Sequence, residues 1–164
     1  MISRKGLIAL VFFFTLTLTT QAQLIKKFAL PEDGWVTDVE GLFTQQQQSE
    51  LNSIISAFEA KTNSGIAVIT IKSYEPYSNI NDFSKDLSNN WNLIGHNEAK
   101  NSLLIIVSKS LHTVRITTAY GTEKLLMNET CKKIINSDMI PAYSKGNYFA
   151  GTKQGLLSLM KVWN

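Results

Sequence analysis

Leu103-Leu104-Ile105-Ile106-Val107-Ser108-Lys109-Ser110-Leu111-His112-Thr113-Val114-Arg115-Ile116-Thr117-Thr118-Ala119 is the stretch from which the fold can be read. Its first five residues are continuously apolar, the pattern of a strand buried on both faces. Residues 109–113 make a short polar loop. Residues 114–119 then alternate well enough for a strand that pairs antiparallel with the first. In such a hairpin the start of one strand and the end of the other share one edge of the sheet. Asn101, just before the first strand, and Glu123, just after the second, therefore come together although they are far apart in sequence.

Upstream, residues 66–71 (Ile-Ala-Val-Ile-Thr-Ile) form another continuous, mostly β-branched run between turn signals, hence a second buried strand. A helix precedes it. Thr44 and Gln47 have the spacing of a capping box, and Leu51, Ile54, Ile55 and Phe58 recur at helical spacing. Asn63-Ser64-Gly65 ends this helix, with Gly65 suited to a left-handed position. Between the two buried strands, after Pro76, lies a second helix. Asn81 is its expected cap, and Phe83, Leu87 and Trp91 are spaced by four. Strand, helix, strand is the unit of a parallel pair with a right-handed crossover. Residues 35–43 read as an extended or turning segment packed on the core. Downstream, Asn128 is the expected cap of a helix that Met139-Ile140-Pro141 ends. Asn147 caps a last helix whose Phe149, Leu156, Met160 and Trp163 share a face. Gly151 and Gly155 on that helix cost about 1 kcal/mol each in propensity, which makes sense where a neighbour approaches closely. This order predicts a small mixed sheet with helices on both faces, a three-layer, Rossmann-like α/β/α sandwich.

The first 22 residues carry Arg4 and Lys5, a short apolar run from Leu7 to Leu18, and small residues ahead of a cut after Ala22. This is the pattern of a secretory signal peptide. The run is shorter than the roughly 20 residues a spanning helix needs, so no transmembrane helix is expected in the mature chain. The expected organisation is a signal peptide at 1–22, an irregular lead-in at 23–34 and one domain at 35–164, exported to the periplasm or secreted. Removal of the leader takes 2 of the 16 Lys and Arg, leaving 14 against 13 Asp and Glu. A near-neutral domain has no electrostatic footprint for nucleic acid. Cys131 is the only cysteine, so no internal disulfide forms; beside Ile134 and Ile135 it reads as a small buried apolar residue.

Several chemistries are absent. No Gly-rich phosphate loop follows a strand, and no Gly-x-Ser-x-Gly elbow occurs. Cys131 has no Arg downstream to close a phosphate cradle, and two loop histidines, His96 and His112, are too few for a zinc site. Oxygen ligands remain: Asp38, Glu40, Asn101 and Glu123 sit at the ends of predicted elements, as hard cations such as calcium or magnesium require. Each also has a structural use. Asp38 can close an Asx turn, Asn101 can cap a turn, and Glu123 can favour the start of a short helix.

The chain resembles the TPM domain family, named for thylakoid-lumen, photosystem-repair and receptor-accessory proteins. The matching motifs are Val36-Thr37-Asp38-Val39-Glu40-Gly41, Thr62-Asn63-Ser64-Gly65-Ile66 and Trp91-Asn92-Leu93-Ile94-Gly95, then Asn101 before its strand and Ala119-Tyr120-Gly121-Thr122-Glu123. Pro141, Tyr143, Gly146, Tyr148 and Gly151 complete the series. The resemblance runs over about residues 33 to 163 and marks a stand-alone bacterial member. It implies an α/β/α fold and a divalent-cation site, calcium or magnesium, with Asp38, Asn101 and Glu123 as ligands and Glu40 and Tyr120 as further candidates. It also implies acid phosphatase activity in some members. The chain departs from the pattern at Leu111 and His112, where members commonly carry Asp-Arg, and at Ser102 and Ala119, where they carry Gly. Loss of that pair removes a hard ligand and a bidentate phosphate partner. The expected function is a cation-binding accessory module with a protein partner in the cell envelope; the alternative is a metal-assisted phosphatase acting on phosphomonoesters.

Overall fold

The computed structural model describes residues 28, 34–93 and 101–163. The expected signal peptide, most of the lead-in, and His96 lie outside these residues. Four strands form one sheet in the order β1 (Val36–Asp38), β2 (Gly65–Thr70), β3 (Ser102–Ser108), β4 (Thr113–Thr118). β1, β2 and β3 are parallel, and β4 returns antiparallel to β3. The parallel pair and the hairpin are those expected from the apolar runs. Leu103, Leu104, Ile105, Ile106 and Val107 are all 0 % exposed, as are Ile66, Ala67, Val68 and Ile69. A strand so buried needs a covering layer on each face.

The two layers divide by strand parity. Ile66, Val68, Leu103, Ile105 and Val107 point to one face, where they meet Leu51, Ile55 and Phe58 of α1 (Gln45–Thr62) and Leu156, Leu159 and Trp163 of α6 (Tyr148–Trp163). Ala67, Ile69, Leu104 and Ile106 point to the other, against Phe83 and Leu87 of α2 (Ile80–Asn90). The strands advance in one direction across the sheet while α1 and α2 cover opposite faces. The two crossovers are therefore of opposite hand, and only one of them obeys the right-handed preference.

Local chemistry sets the helix ends, with some differences from expectation. Thr44 and Gln47 form the capping box: Gln47 N donates to Thr44 Oγ1 at 3.2 Å and Thr44 N to Gln47 Oε1 at 2.8 Å. Asn63, not Gly65, takes the left-handed position after α1, with φ 55°. Asn tolerates that region, which frees Gly65 to open β2. Asn79, not Asn81, caps α2, accepting from the amides of Asn81 and Asp82. Asn128 is the first residue of α4 (Asn128–Ile134) rather than its cap; Met127 holds the cap position. The lead-in also contributes to the core. Phe28 is buried edge-on to Phe83, and its carbonyl accepts from the Trp91 indole at 2.6 Å.

Met139-Ile140-Pro141 does not end the helical run. The chain widens into a π-helical turn, Ile135–Met139, with Ile140 N donating to the Ile135 carbonyl, and continues as α5 (Ile140–Tyr143). A proline ring crowds the carbonyl four residues back, and its nitrogen cannot donate. A wider turn upstream accommodates both. This segment lies against α6 where the two glycines are. A Cβ on Gly155 would sit 2.5 Å from Met139 Cγ, and one on Gly151 would sit 2.5 Å from the Tyr143 ring and 2.8 Å from the Met139 carbonyl oxygen. The close approach expected from the glycine pair is present. Cys131 is buried and unpaired, and burial pushes its thiol up.

Gly151→Ala should lower stability despite the better helix propensity of alanine, because the Met139 carbonyl is backbone and cannot step aside. The expected cost is about 1–3 kcal/mol from overpacking. Urea unfolding measures it; a variant more stable than wild type would refute the packing argument.

Candidate functional site

In open α/β sheets, ligands bind beyond the carboxyl ends of the parallel strands. Here that edge is built by the residues following β1, the end of β2 and the β3–β4 turn. Asp38 closes β1 opposite Thr70, which lies opposite Val107. Its carboxylate is fully engaged. Oδ1 accepts from Leu42 N at 2.9 Å and from Thr70 Oγ1 at 2.5 Å, and Oδ2 accepts from Phe43 N at 2.8 Å. The bonds from Leu42 and Phe43 reach four and five residues ahead, further than an Asx turn. They fold the chain back into the start of α1. Gly41 makes the turn possible with φ 73°, a conformation costly for residues with a side chain.

Glu40 stands beside it. Its own amide donates to Thr70 Oγ1 at 2.9 Å, so this one hydroxyl accepts from Glu40 and donates to Asp38. The Glu40 carboxylate spans to the β3–β4 turn. Oε2 accepts from Lys109 N at 2.9 Å; Oε1 accepts from Ser110 N at 2.8 Å and Ser110 Oγ at 2.5 Å. Two carboxylates and two hydroxyls thus converge at one edge of the sheet.

Asn101 and Glu123 lie at the other edge. The Asn101 carbonyl accepts from Gly65 N, at the start of β2, and Ala119 N donates to the Ser102 carbonyl. Glu123 ends the short helix α3 (Tyr120–Glu123), which follows directly. The expected meeting of Asn101 with Glu123 at one edge is what the topology produces; both side chains are exposed there, beside an exposed Tyr120. Asp38 is level with Val107, six strand positions from Asn101, or roughly 20 Å at the usual rise per residue. Calcium ligands lie only about 2.3–2.6 Å from the ion. The three residues expected to share one ion therefore divide into two groups, Asp38 with Glu40 and Asn101 with Glu123. The hairpin register places the second group at one edge. Asp38 is assigned to it by motif alone, and the parallel direction of β1 carries Asp38 to the far end. Among the described residues, no group of three or more His, Cys, Asp and Glu side chains is placed to hold a metal ion.

A groove of about 340 Å³ opens beside the β3–β4 turn, lined by Ser108, His112, Val114, Ile135, Tyr143 and Tyr148 among others. Tyr143 stacks on Tyr148 with ring centres 5.1 Å apart and shares a hydrogen bond with Thr152 Oγ1 at 2.9 Å. Burial, offset in part by that hydrogen bond, pushes the Tyr143 phenol well above its ordinary range. Reading elements one at a time misses this groove, although Tyr143, Tyr148 and Gly151 all fall within the closing motif of the sequence. His112 is exposed in the turn at φ 47°. Arg115 lies opposite Ile106, on the α2 face of the sheet.

The TPM domain model matches residues 36–162. The solution structure of the N-terminal domain of a P. gingivalis protein is similar at 31% identity and TM-score 0.71, over 77% of this chain and 80% of that one. The N-terminal domain of the cg2496 protein of Corynebacterium glutamicum is similar at 13% identity and TM-score 0.61, over 82% and 84%. The BA42 protein of the psychrophilic bacterium Bizionia argentinensis is similar at 18% identity and TM-score 0.65, over 76% and 83%. The last two likenesses bear on the fold alone. No curated protein matches.

Asp38→Ala leaves the Leu42 and Phe43 amides and the Thr70 hydroxyl without their acceptor. The expected loss is about 2–3 kcal/mol of stability, the cost of orphaning donors to a charged group. Hydrogen exchange should accelerate at Leu42 and Phe43 before it does in β3. Unchanged exchange at those two amides would contradict the loop-closing role.

Proposed function

The chain belongs to the TPM domain family, and from that premise we propose that it is an exported accessory module that takes up calcium or magnesium at the carboxyl edge of its sheet and acts through a protein partner in the cell envelope. The observation that carries the cation is the convergence of Asp38 and Glu40 with the hydroxyls of Thr70 and Ser110. This is a set of hard oxygens without thiolate or imidazole, suited to calcium or magnesium rather than to a transition metal. Two carboxylates, both already accepting amide protons, make a sparse site that backbone carbonyls and water would have to complete. The expected affinity is that of weak extracellular calcium modules, about 10⁻⁴–10⁻³ M. The exported location rests on the leader-like first 22 residues. No helix among the described residues is long and apolar enough to cross a membrane.

The second reading, a metal-assisted phosphatase, is the weaker one. Charge on a phosphate is best held by a guanidinium or a comparable clamp. The turn nearest Asp38 and Glu40 carries Lys109, Leu111 and His112 but no guanidinium, and Arg115 points to the α2 face.

A calcium or magnesium titration of the mature protein, followed by amide NMR, tests the cation site. Saturable shifts are expected at residues 38–43 and 109–112, and they should vanish in Asp38→Ala. Shifts confined to Asn101 and Glu123 would move the ion to the opposite edge. Silence at both edges up to about 10 mM, beyond the weak-module range, would end the reading.

A further inference from the structure

The β3–β4 turn presents the backbone amides of Lys109 and Ser110 in succession, both aimed at one carboxylate, with the Ser110 hydroxyl beside them. Successive amides pointing at a common centre form an anion-binding nest. From these bonds we infer that the turn is an oxyanion site, for a phosphate or carboxylate group, which Glu40 fills from within.

Three features separate this contact from ordinary loop packing. First, the nest is built without Glu40. Leu111 N donates to Ser108 Oγ at 3.1 Å, His112 N donates to the Lys109 carbonyl at 3.2 Å, and Ser108 pairs with Thr113 at the end of the ladder. Removing the carboxylate leaves the turn held by its own bonds. Second, the Glu40 bonds lie at the exposed surface and join segments 69 and 70 residues apart, so the side chain can leave without unfolding an element. The Asp38 carboxylate differs in this respect: its bonds to Leu42 and Phe43 hold the entry to α1. Third, the Lys109 ammonium belongs to the turn itself and remains once Glu40 is withdrawn. Among the described residues, Glu40 is the carboxylate bonded to the Lys109 and Ser110 amides.

Glu40 is thus an internal competitor. A tethered carboxylate acts at high effective concentration, so an external anion binds wild type weakly and binds a chain lacking that carboxylate at least about tenfold more tightly. The test is run with a chelator and no added divalent ion, so its outcome does not depend on the cation reading. Inorganic phosphate and acetate are titrated separately into wild type and Glu40→Ala, following the amide signals of Lys109 and Ser110. Saturable shifts in the variant, at least tenfold tighter than in wild type and weakened by adding Ser110→Ala, support the site; the anion that gives them identifies the preferred oxyanion. If Glu40→Ala loses the dispersed β3 signals, Glu40→Gln serves instead, since its neutral amide offers one acceptor oxygen where the carboxylate offers two. A folded variant whose Lys109 and Ser110 amides respond to neither anion, or no more tightly than wild type, overturns the inference.

Discussion

The structure depends on burying β2 and β3 completely. Their backbone groups lie far from water, so each must pair within the sheet, and their side chains leave no exposed face. Everything else follows as cover. α1 and α6 close one face, and α2, with Phe28, closes the other. The flanking strands protect the two open edges: β1 is only three residues long, and β4 folds back from β3 through a four-residue turn. Short or returning edge strands offer little to a foreign strand.

A parallel sheet built this way gathers its loop starts at one end, and that end must be closed. Parallel strands deliver the residues after β1, β2 and β3 to the same edge, leaving unpaired amides on every departing chain. Asp38 and Glu40 answer this with carboxylates, which accept several amide protons at once and hold each bond more strongly than a neutral acceptor does. Thr70 links the two, accepting from one residue and donating to the other. The carboxylates of the proposed cation site are therefore the groups that already hold these loops. An ion arriving here meets oxygens that are oriented but committed.

Much of this architecture was legible in the sequence because it rests on patterns of period two and on chain order. The continuous apolar runs at 66–71 and 103–107 announce strands covered on both faces, and the alternation after Thr113 announces the returning strand. The capping box of Thr44 and Gln47 and the paired glycines of α6 were readable for the same reason, since each is a local requirement. Choices among equivalent residues were not. Asn79 and Asn81 both can cap α2, and only the packing of Phe83 and Leu87 selects the phase. Pro141 normally stops a helix, but the π turn that rescues it depends on contact with α6. The site was legible in its parts and not in its assembly. Hairpin pairing connects Asn101 to Glu123 without knowledge of the rest. Whether Asp38 joins them depends on the direction of β1 in the sheet, which no local pattern records.

That dependence explains why the departure at Leu111 and His112 matters more than a change of two side chains. The β3–β4 turn lies at the same edge as Asp38 and Glu40, while His112 lines the groove beside Tyr143 and Tyr148. With leucine and an exposed histidine in those positions, the turn contributes mainly through its backbone amides. Backbone amides are fixed partial charges, and a carboxylate close by satisfies them. Glu40 takes that role here. The residue that replaces a missing external ligand for the turn is also half of the carboxylate pair offered to a cation. The two proposed uses would compete for one side chain, so each calls for reversible, weak binding rather than a permanent metal centre.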